Sequence, residues 1–260
     1  GVGVGNATTI VDGTTDLKEV ANMIKRSKTF DQATSCSTEN NCIVNSKVYD
    51  EFIKAMEDEG GYLIKEGTEE KKKLLKALWP EYPENLMLNR NVVAQTAEKI
   101  AEVAGIEIPE GTSFIMVEEN GVGKDYPFSG EKLSIVTTIH KYEDFDNAVD
   151  KVCAILEYQG SGHSCGIHTS LDYRVLQLAQ RAKASRMMVN QPQSLGNSGA
   201  WTNGMPMTMT AGCGTWGGNS VSHNVNWKDY LNYTYVSYPI PSTQPTDEEL
   251  FGEKIIRENS

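Results

Sequence analysis

The 260-residue chain is 39% hydrophobic and 23% charged, which is enough to bury a sizeable core in one large domain or two small ones. Its 24 Lys+Arg against 35 Asp+Glu leave a net charge of −11; with no basic run and no interleaving of basic and aromatic residues, there is no footprint for nucleic acid. No apolar run approaches the roughly 20 residues of a membrane-spanning helix, and five cysteines without CxxC spacing fit neither a secreted disulfide framework nor a zinc ribbon.

The expected setting is therefore cytoplasmic, with reduced thiols and no membrane partner. The chain opens at Gly1 without Met on the alternating GVGVGN, so it reads as part of a longer protein. Thr8 to Asp12 then predicts a strand, and Asp16 caps a helix with Leu17, Val20, Ala21 and Ile24 on one face. The polar segment from Asp31 to Asn41 breaks the pattern. Cys42-Ile43-Val44 restores a strand, and Ser46 is expected to cap a helix carrying Val48, Phe52 and Met56. Downstream, Glu69 to Trp79 and Val92 to Ala104 predict helices, Ser113 to Val117 and Leu133 to Ile139 strands, and Phe145 to Tyr158 a helix. A strand from Ser164 to Thr169, a helix from Leu171 to Lys183 and a strand from Arg186 to Asn190 continue an α/β order, which implies a mostly parallel sheet in three layers with helices on both faces. From Gln191 the texture turns to Gly, Asn, Ser, Thr and Trp. Tyr230 to Ile240 predicts one more strand, followed by an acidic tail. The expected division is a cysteine domain over 1–225 and a strand and tail over 226–260.

Two stretches carry nucleophile or acid–base chemistry. In TFDQATSCSTENNCIV, Cys36 stands among Thr34, Ser35, Ser37 and Thr38, small hydroxyl neighbours that admit a substrate and favour a thiolate. Cys42 falls in a strand and Cys153 on a helix face, where core packing is the simplest reading. A loop cysteine of no consequence is the competing reading for Cys36. In GSGHSCGIH, His163 is placed on a glycine turn between helix and strand, where an imidazole with an ordinary pKa of about 6.5 can act as acid or base. His163, Cys165 and His168 raise a metal reading, but no second ligand cluster accompanies them. GVGVGN precedes a strand rather than following one, unlike a dinucleotide fingerprint. GCGTWGGNS reads as a loop that brings backbone close to something, with Cys213 either packed or functional. Arg186 pairs with an anionic substrate or with one of the chain's many carboxylates.

Taken in order, GVGVGN with TTIVD, SKTFDQATSCSTEN, YPFSGEKLS, YQGSGHS, RMMVNQP and GCGTWGGNS resemble the CoA-acylating aldehyde dehydrogenases, along nearly the whole chain. GHSCGIHTS, GCGTWGGNS and PTDEELFG look most like the acylating sulfoacetaldehyde enzymes, with succinate-semialdehyde and acetaldehyde enzymes as near alternatives. The resemblance implies that Cys36 is the nucleophile, that it passes through a thiohemiacetal and a thioester to coenzyme A, and that NAD or NADP takes the hydride. It implies an oxyanion contact from the Cys36 backbone N–H, a proton-transfer or positioning role for His163, and cofactor contacts from Glu131 and Leu133 in GEKLS. Arg186, with Asn190 and Asn219, is the expected sulfonate-binding set. The water-activating glutamate of hydrolytic aldehyde dehydrogenases has no counterpart in GVGVGN, which fits release to a thiol. The family's N-terminal nucleotide-binding domain has no counterpart in this sequence either. The chain by itself is therefore expected to be inactive, and the full-length enzyme to be a homo-oligomer without a metal. An inactive binding module with the same fold is the alternative of another class.

Overall fold

In the computed structural model, which describes residues 4–252, seven strands form one sheet ordered β3-β4-β5-β2-β1-β6-β7. The strands are β1 (Thr8–Val11), β2 (Asn41–Asn45), β3 (Gly61–Ile64), β4 (Phe114–Glu118), β5 (Val136–Tyr142), β6 (Gly162–His168) and β7 (Ala184–Val189). Every neighbouring pair is parallel. The helices are α1 (Leu17–Thr29), α2 (Tyr49–Asp58), α3 (Glu69–Leu78), α4 (Ala97–Ala104), α5 (Phe145–Tyr158), α6 (Asp172–Arg181) and the short α7 (Gln193–Asn197). Two cores confirm the three layers. Val20, Ile24, Phe52, Met56, Leu74 and Ile100 bring α1 to α4 onto one side of the sheet, while Val149, Val152, Leu156 and Leu178 bring α5 and α6 against Ile10, Ile43 and Ile167 on the other. Strands covered on both faces need continuous apolar runs rather than alternation, and β1, β2 and β6 are buried at nearly every position.

Several boundaries depart from the sequence reading. Asp16 caps α1 by accepting from the N–H groups of Lys18 and Glu19. The second cap is Asn45 rather than Ser46, and it serves a 3-10 turn over Ser46–Val48 that leads into α2. α4 starts at Ala97 behind Thr96, not at Val92. β3 and α7 were not anticipated: GYLI is four residues long and half-buried, and QSLGN is a single turn. The described residues fall into two units, the first ending at Asn226 and the second starting at Trp227. In the second unit Trp227–Tyr230 is a 3-10 turn, and residues 231–240 make no ladder within this chain, so the strand expected there is not formed. Among the described residues no helix is long and apolar enough to cross a membrane.

Candidate active site

The strands of a parallel sheet all start at one edge, and here the segments that lead into four adjacent strands carry the chemistry. Gly5 and Asn6 precede β1, the polar connection 30–40 precedes β2, Glu131 precedes β5, and His163 is the second residue of β6. Because β5, β2, β1 and β6 are neighbours in the sheet, these segments meet. Open α/β sheets more often bind ligands at the opposite, carboxyl edge.

Cys36 is held by an unusual turn. Asp31, Gln32 and Ala33 have φ of 50°, 50° and 60°, three consecutive left-handed residues where each costs about 1–2 kcal/mol without glycine. Thr34 Oγ1 donates to the Asp31 carbonyl oxygen at 2.8 Å and to its carboxylate at 2.6 Å, which locks the turn. Such strain persists only where the surroundings enforce it, and it clusters at functional sites. Of the five cysteines, Cys36 is exposed and Cys42, Cys165 and Cys213 are buried. Cys153 is half-buried rather than core.

His163 Nε2 lies 3.0 Å from Cys36 Sγ, and Nδ1 lies 2.8 Å from the hydroxyl of Ser164. His163 is 2% exposed and sits in the strand, not on a mobile glycine turn. Burial, and then the Arg186 charge, push its pKa down to about 4, so the ring is neutral and free to accept a proton. Burial and the Glu131 carboxylate push the Cys36 thiol up, while Arg186 opposes them. The pair therefore rests as neutral thiol and neutral imidazole. Its proton moves only when a substrate makes the transfer worthwhile, because sulfur and ring nitrogen are already within hydrogen-bond reach.

Glu131 is placed beside the nucleophile. A side chain on Gly5 would come within 2.6 Å of Cys36 Cβ and 2.8 Å of Glu131 Oε1, so only glycine fits between them. Burial raises the Glu131 carboxyl to about 7, against the pull of Lys132 and of the Gly5 N–H. Cys36 lines a cleft of about 400 Å³ with Phe30, Ser35, Ser37, Leu195 and Met209 among others. Glu131 lines a separate hollow of about 160 Å³ with Val4, Trp79 and Gln159. Leu133, with φ 43°, gives its carbonyl oxygen to the Ala94 N–H and lies outside the lining of that hollow.

The expected sulfonate-binding set does not assemble. Arg186 is 4% exposed, and its guanidinium donates to the carbonyl oxygens of Gly212 at 2.6 Å and His163 at 2.8 Å. It braces the site from behind and does not line the cleft. Asn190 follows the last residue of β7, where its amide pairs with both backbone groups of Thr169. That is the far edge of the sheet, about 20 Å from His163 at 3.3 Å per residue. Asn219 holds the glycine loop by accepting from Cys213 N–H and donating to the Gly217 carbonyl oxygen. His163, Cys165 and His168 do not form a metal cluster. Among the described residues no three His, Cys, Asp or Glu side chains could hold a metal ion.

Residues the sequence did not mark complete the scaffold. Asn6 donates to the carbonyl oxygens of Ser129 at 2.8 Å and Gln159 at 3.4 Å and accepts from Asn41. Gln159 accepts from the Glu131 N–H. Lys28, Glu39 and Lys132 are all fully buried behind the Cys36 connection. Lys132 Nζ spans the carbonyl oxygens of Phe128 and Gly130. All lie inside motifs quoted from the sequence, Asn6 in GVGVGN, Lys28 and Glu39 in SKTFDQATSCSTEN, Lys132 in YPFSGEKLS and Gln159 in YQGSGHS, but nothing in their residue types announced a scaffold role; Gly1 to Gly3 lie outside the described residues.

No family model matches the chain. Individual proteins do. It is 40% identical over 259 residues to the acylating sulfoacetaldehyde dehydrogenase of Cupriavidus necator, covering 99% of this chain and 51% of that protein. It is 42% identical over 254 residues to the corresponding enzyme of Bilophila wadsworthia, covering 97% of this chain and 54% of that one. The crystal structure of an acetylating aldehyde dehydrogenase from Geobacillus thermoglucosidasius matches with a TM-score of 0.86 at 31% identity, over 95% of this chain and 53% of that chain. The chain thus spans about half the length of the relatives it matches. Over that half, its seven-stranded parallel sheet, with a cysteine–histidine pair at the starts of the central strands, is similar to the acylating aldehyde dehydrogenases.

Proposed function

We propose that this chain is the cysteine-bearing half of an acylating aldehyde dehydrogenase, which turns a small aldehyde into an acyl-CoA. The contact that supports this most directly is His163 Nε2 at 3.0 Å from the Sγ of an exposed cysteine. In the first step Nε2 takes the thiol proton, in the tautomer whose Nδ1–H donates to the Ser164 hydroxyl. The Cys36 thiolate adds to the carbonyl carbon, and the oxygen that becomes anionic lies next to the Cys36 N–H, which makes no backbone hydrogen bond among the described residues. A bound nicotinamide cofactor would supply the acceptor for the hydride that leaves the thiohemiacetal carbon. The Glu131 carboxylate facing the hollow suits the hydroxyl pair of a ribose, and it is the one part of such a site these residues supply. The thioester left on Cys36 is attacked by the thiolate of coenzyme A. The carbonyl re-forms, the Cys36–carbon bond breaks, and His163 returns a proton to the departing thiolate.

Sulfoacetaldehyde is the substrate favoured by the names of the relatives. With Arg186 committed to backbone, no Lys or Arg among the described residues lines the cleft, and hydroxyls such as Ser35 and Ser37, beside the carboxylate of Asp31, are the groups a sulfonate would meet. The exposed Tyr233, Tyr235, Val236, Tyr238 and Ile240 fit a segment that gains strand partners from a second copy or from a nucleotide-binding domain, through backbone hydrogen bonds. Limiting iodoacetamide followed by peptide mapping tests the central assignment. Adduct concentrated on Cys36 is the expected result, and adduct spread over Cys36 and Cys153 alike would remove it.

A further inference from the structure

A buried cation ordinarily has an anionic partner, because an uncompensated charge in a protein interior is costly. Arg186 has none. It is 4% exposed, no ion pair among the described residues includes it, and its Nε atom has no hydrogen-bond partner. Its two hydrogen bonds go to neutral carbonyl oxygens on different elements, His163 in β6 and Gly212 in the glycine loop. The ionisable groups coupled to its charge are Cys213 first, then Cys36, and His163, whose carbonyl oxygen it also holds.

We propose that Arg186 is a positioning residue whose guanidinium fixes His163 and the glycine loop through their carbonyl oxygens and supplies the positive charge that accompanies the Cys36 thiolate. It acts behind the site and does not touch the aldehyde. When Cys36 loses its proton to solvent with His163 neutral, the compensating charge thus comes from a fixed arginine. The arrangement follows from the register: Arg186 lies opposite Ser164, so one strand carries the cation beside the other strand's acid–base ring. A permanent cation there gives His163 two advantages. It keeps the ring neutral, hence able to accept the proton, and it stays beside the thiolate whether the ring is neutral or has taken that proton. The charged and titratable groups around the sulfur are His163, which contacts it, Asp31, which lines the same cleft, and Glu131, Cys213 and Arg186, which act on it electrostatically; of these only Arg186 is cationic when His163 is neutral.

The inference rests on Cys36 being the nucleophile, and one experiment separates the two. The rate of iodoacetamide labelling at Cys36 is followed by peptide mapping across about pH 6 to about pH 10 in the unsubstituted chain, in Arg186→Gln, in Arg186→Lys and in His163→Gln. The expected result is a labelling midpoint raised by about one unit in Arg186→Gln, a smaller rise in Arg186→Lys, and a rise in His163→Gln smaller than that in Arg186→Gln. An unchanged midpoint in a folded Arg186→Gln overturns the proposal and leaves Arg186 a structural brace. Should Arg186→Gln not fold, His163→Gln decides alone: a rise of about one unit or more makes the imidazolium the partner and overturns the proposal, and a smaller rise supports it. Label that does not concentrate on Cys36 in the unsubstituted chain counts instead against the nucleophile assignment.

Discussion

Glu131→Gln is expected to make Cys36 more reactive, although it alters a residue assigned to the cofactor side of the site. The carboxylate oxygen and Cys36 Cβ both lie within 3 Å of the point where a Gly5 side chain would begin, so they are about 6 Å apart or less, and at an effective dielectric of about 20 the repulsion between that carboxylate and a thiolate is about 3 kcal/mol. Water in the cleft reduces this to roughly half, which corresponds to about a tenfold change in thiolate population. Glutamine keeps the shape and the acceptor for the Gly5 N–H but carries no charge. Because the Glu131 carboxyl titrates at about 7, the difference between the two proteins should be small near pH 6 and fully developed near pH 8. The assay is the second-order rate of iodoacetamide labelling at Cys36 at those two pH values, with about a tenfold faster rate in Glu131→Gln at the higher one. Equal rates at pH 8, or a slower variant, would refute the electrostatic reading.

Two further outcomes follow from the same network. Asn6→Ala strips the buried Ser129 and the half-buried Gln159 carbonyl oxygens of a donor and the buried Asn41 of an acceptor; it should cost about 2–3 kcal/mol, read as a lower denaturant midpoint with an unchanged slope. His140, His163 and His168 are held neutral by burial, with pKa values lowered to about 3, 4 and 4. Their folded values lie below the unfolded one, so the unfolded chain binds more protons as pH falls through 6.5, and stability is full above that pH and lost toward pH 4. Glu39 and Glu131, raised to about 7, pull the other way between 4.5 and 7. Glu39→Gln should therefore steepen the acid loss of stability measured by urea unfolding at pH 6.5 and pH 5.

What could be read in the sequence was set by local chemistry, and what could not was set by which backbone groups lie within reach. The strand–helix alternation was legible because buried parallel strands are apolar runs and their helices are amphipathic at 3.6-residue spacing. Cys36 was legible because the polar connection around it interrupts that rhythm. GYLI escaped because four half-buried residues give no period. Tyr230 to Ile240 misled in the opposite sense: tyrosines alternating with small residues have the pattern of a strand, but a strand needs a neighbour, and this chain supplies none. The substrate-binding set failed for a related reason. Arginine and asparagine side chains announce what they could bind, while the carbonyl oxygens that claim them belong to residues 2 to 26 positions away, as Gly217 for Asn219 and Gly212 and His163 for Arg186.

That failure has a physical consequence for how the site works. Had Arg186 faced the cleft, its charge would have been shared with the substrate and screened by water. Turned inward, it is fixed by two carbonyl oxygens and screened by neither, so its effect on Cys36 and His163 is the same whether or not an aldehyde is present. Preorganised charge of this kind needs no rearrangement at the moment of reaction. The left-handed turn over Asp31 to Ala33 does for position what Arg186 does for charge: it holds the sulfur at 3.0 Å from a ring whose strand is itself pinned from behind. A cysteine on a flexible loop would sample that distance rarely, and a histidine on a glycine turn would lose it by rotating. With the ring on a buried strand and the sulfur on a strained, hydrogen-bonded turn, the pair meets at the one edge of the sheet where Gly5 leaves room for Glu131 as well.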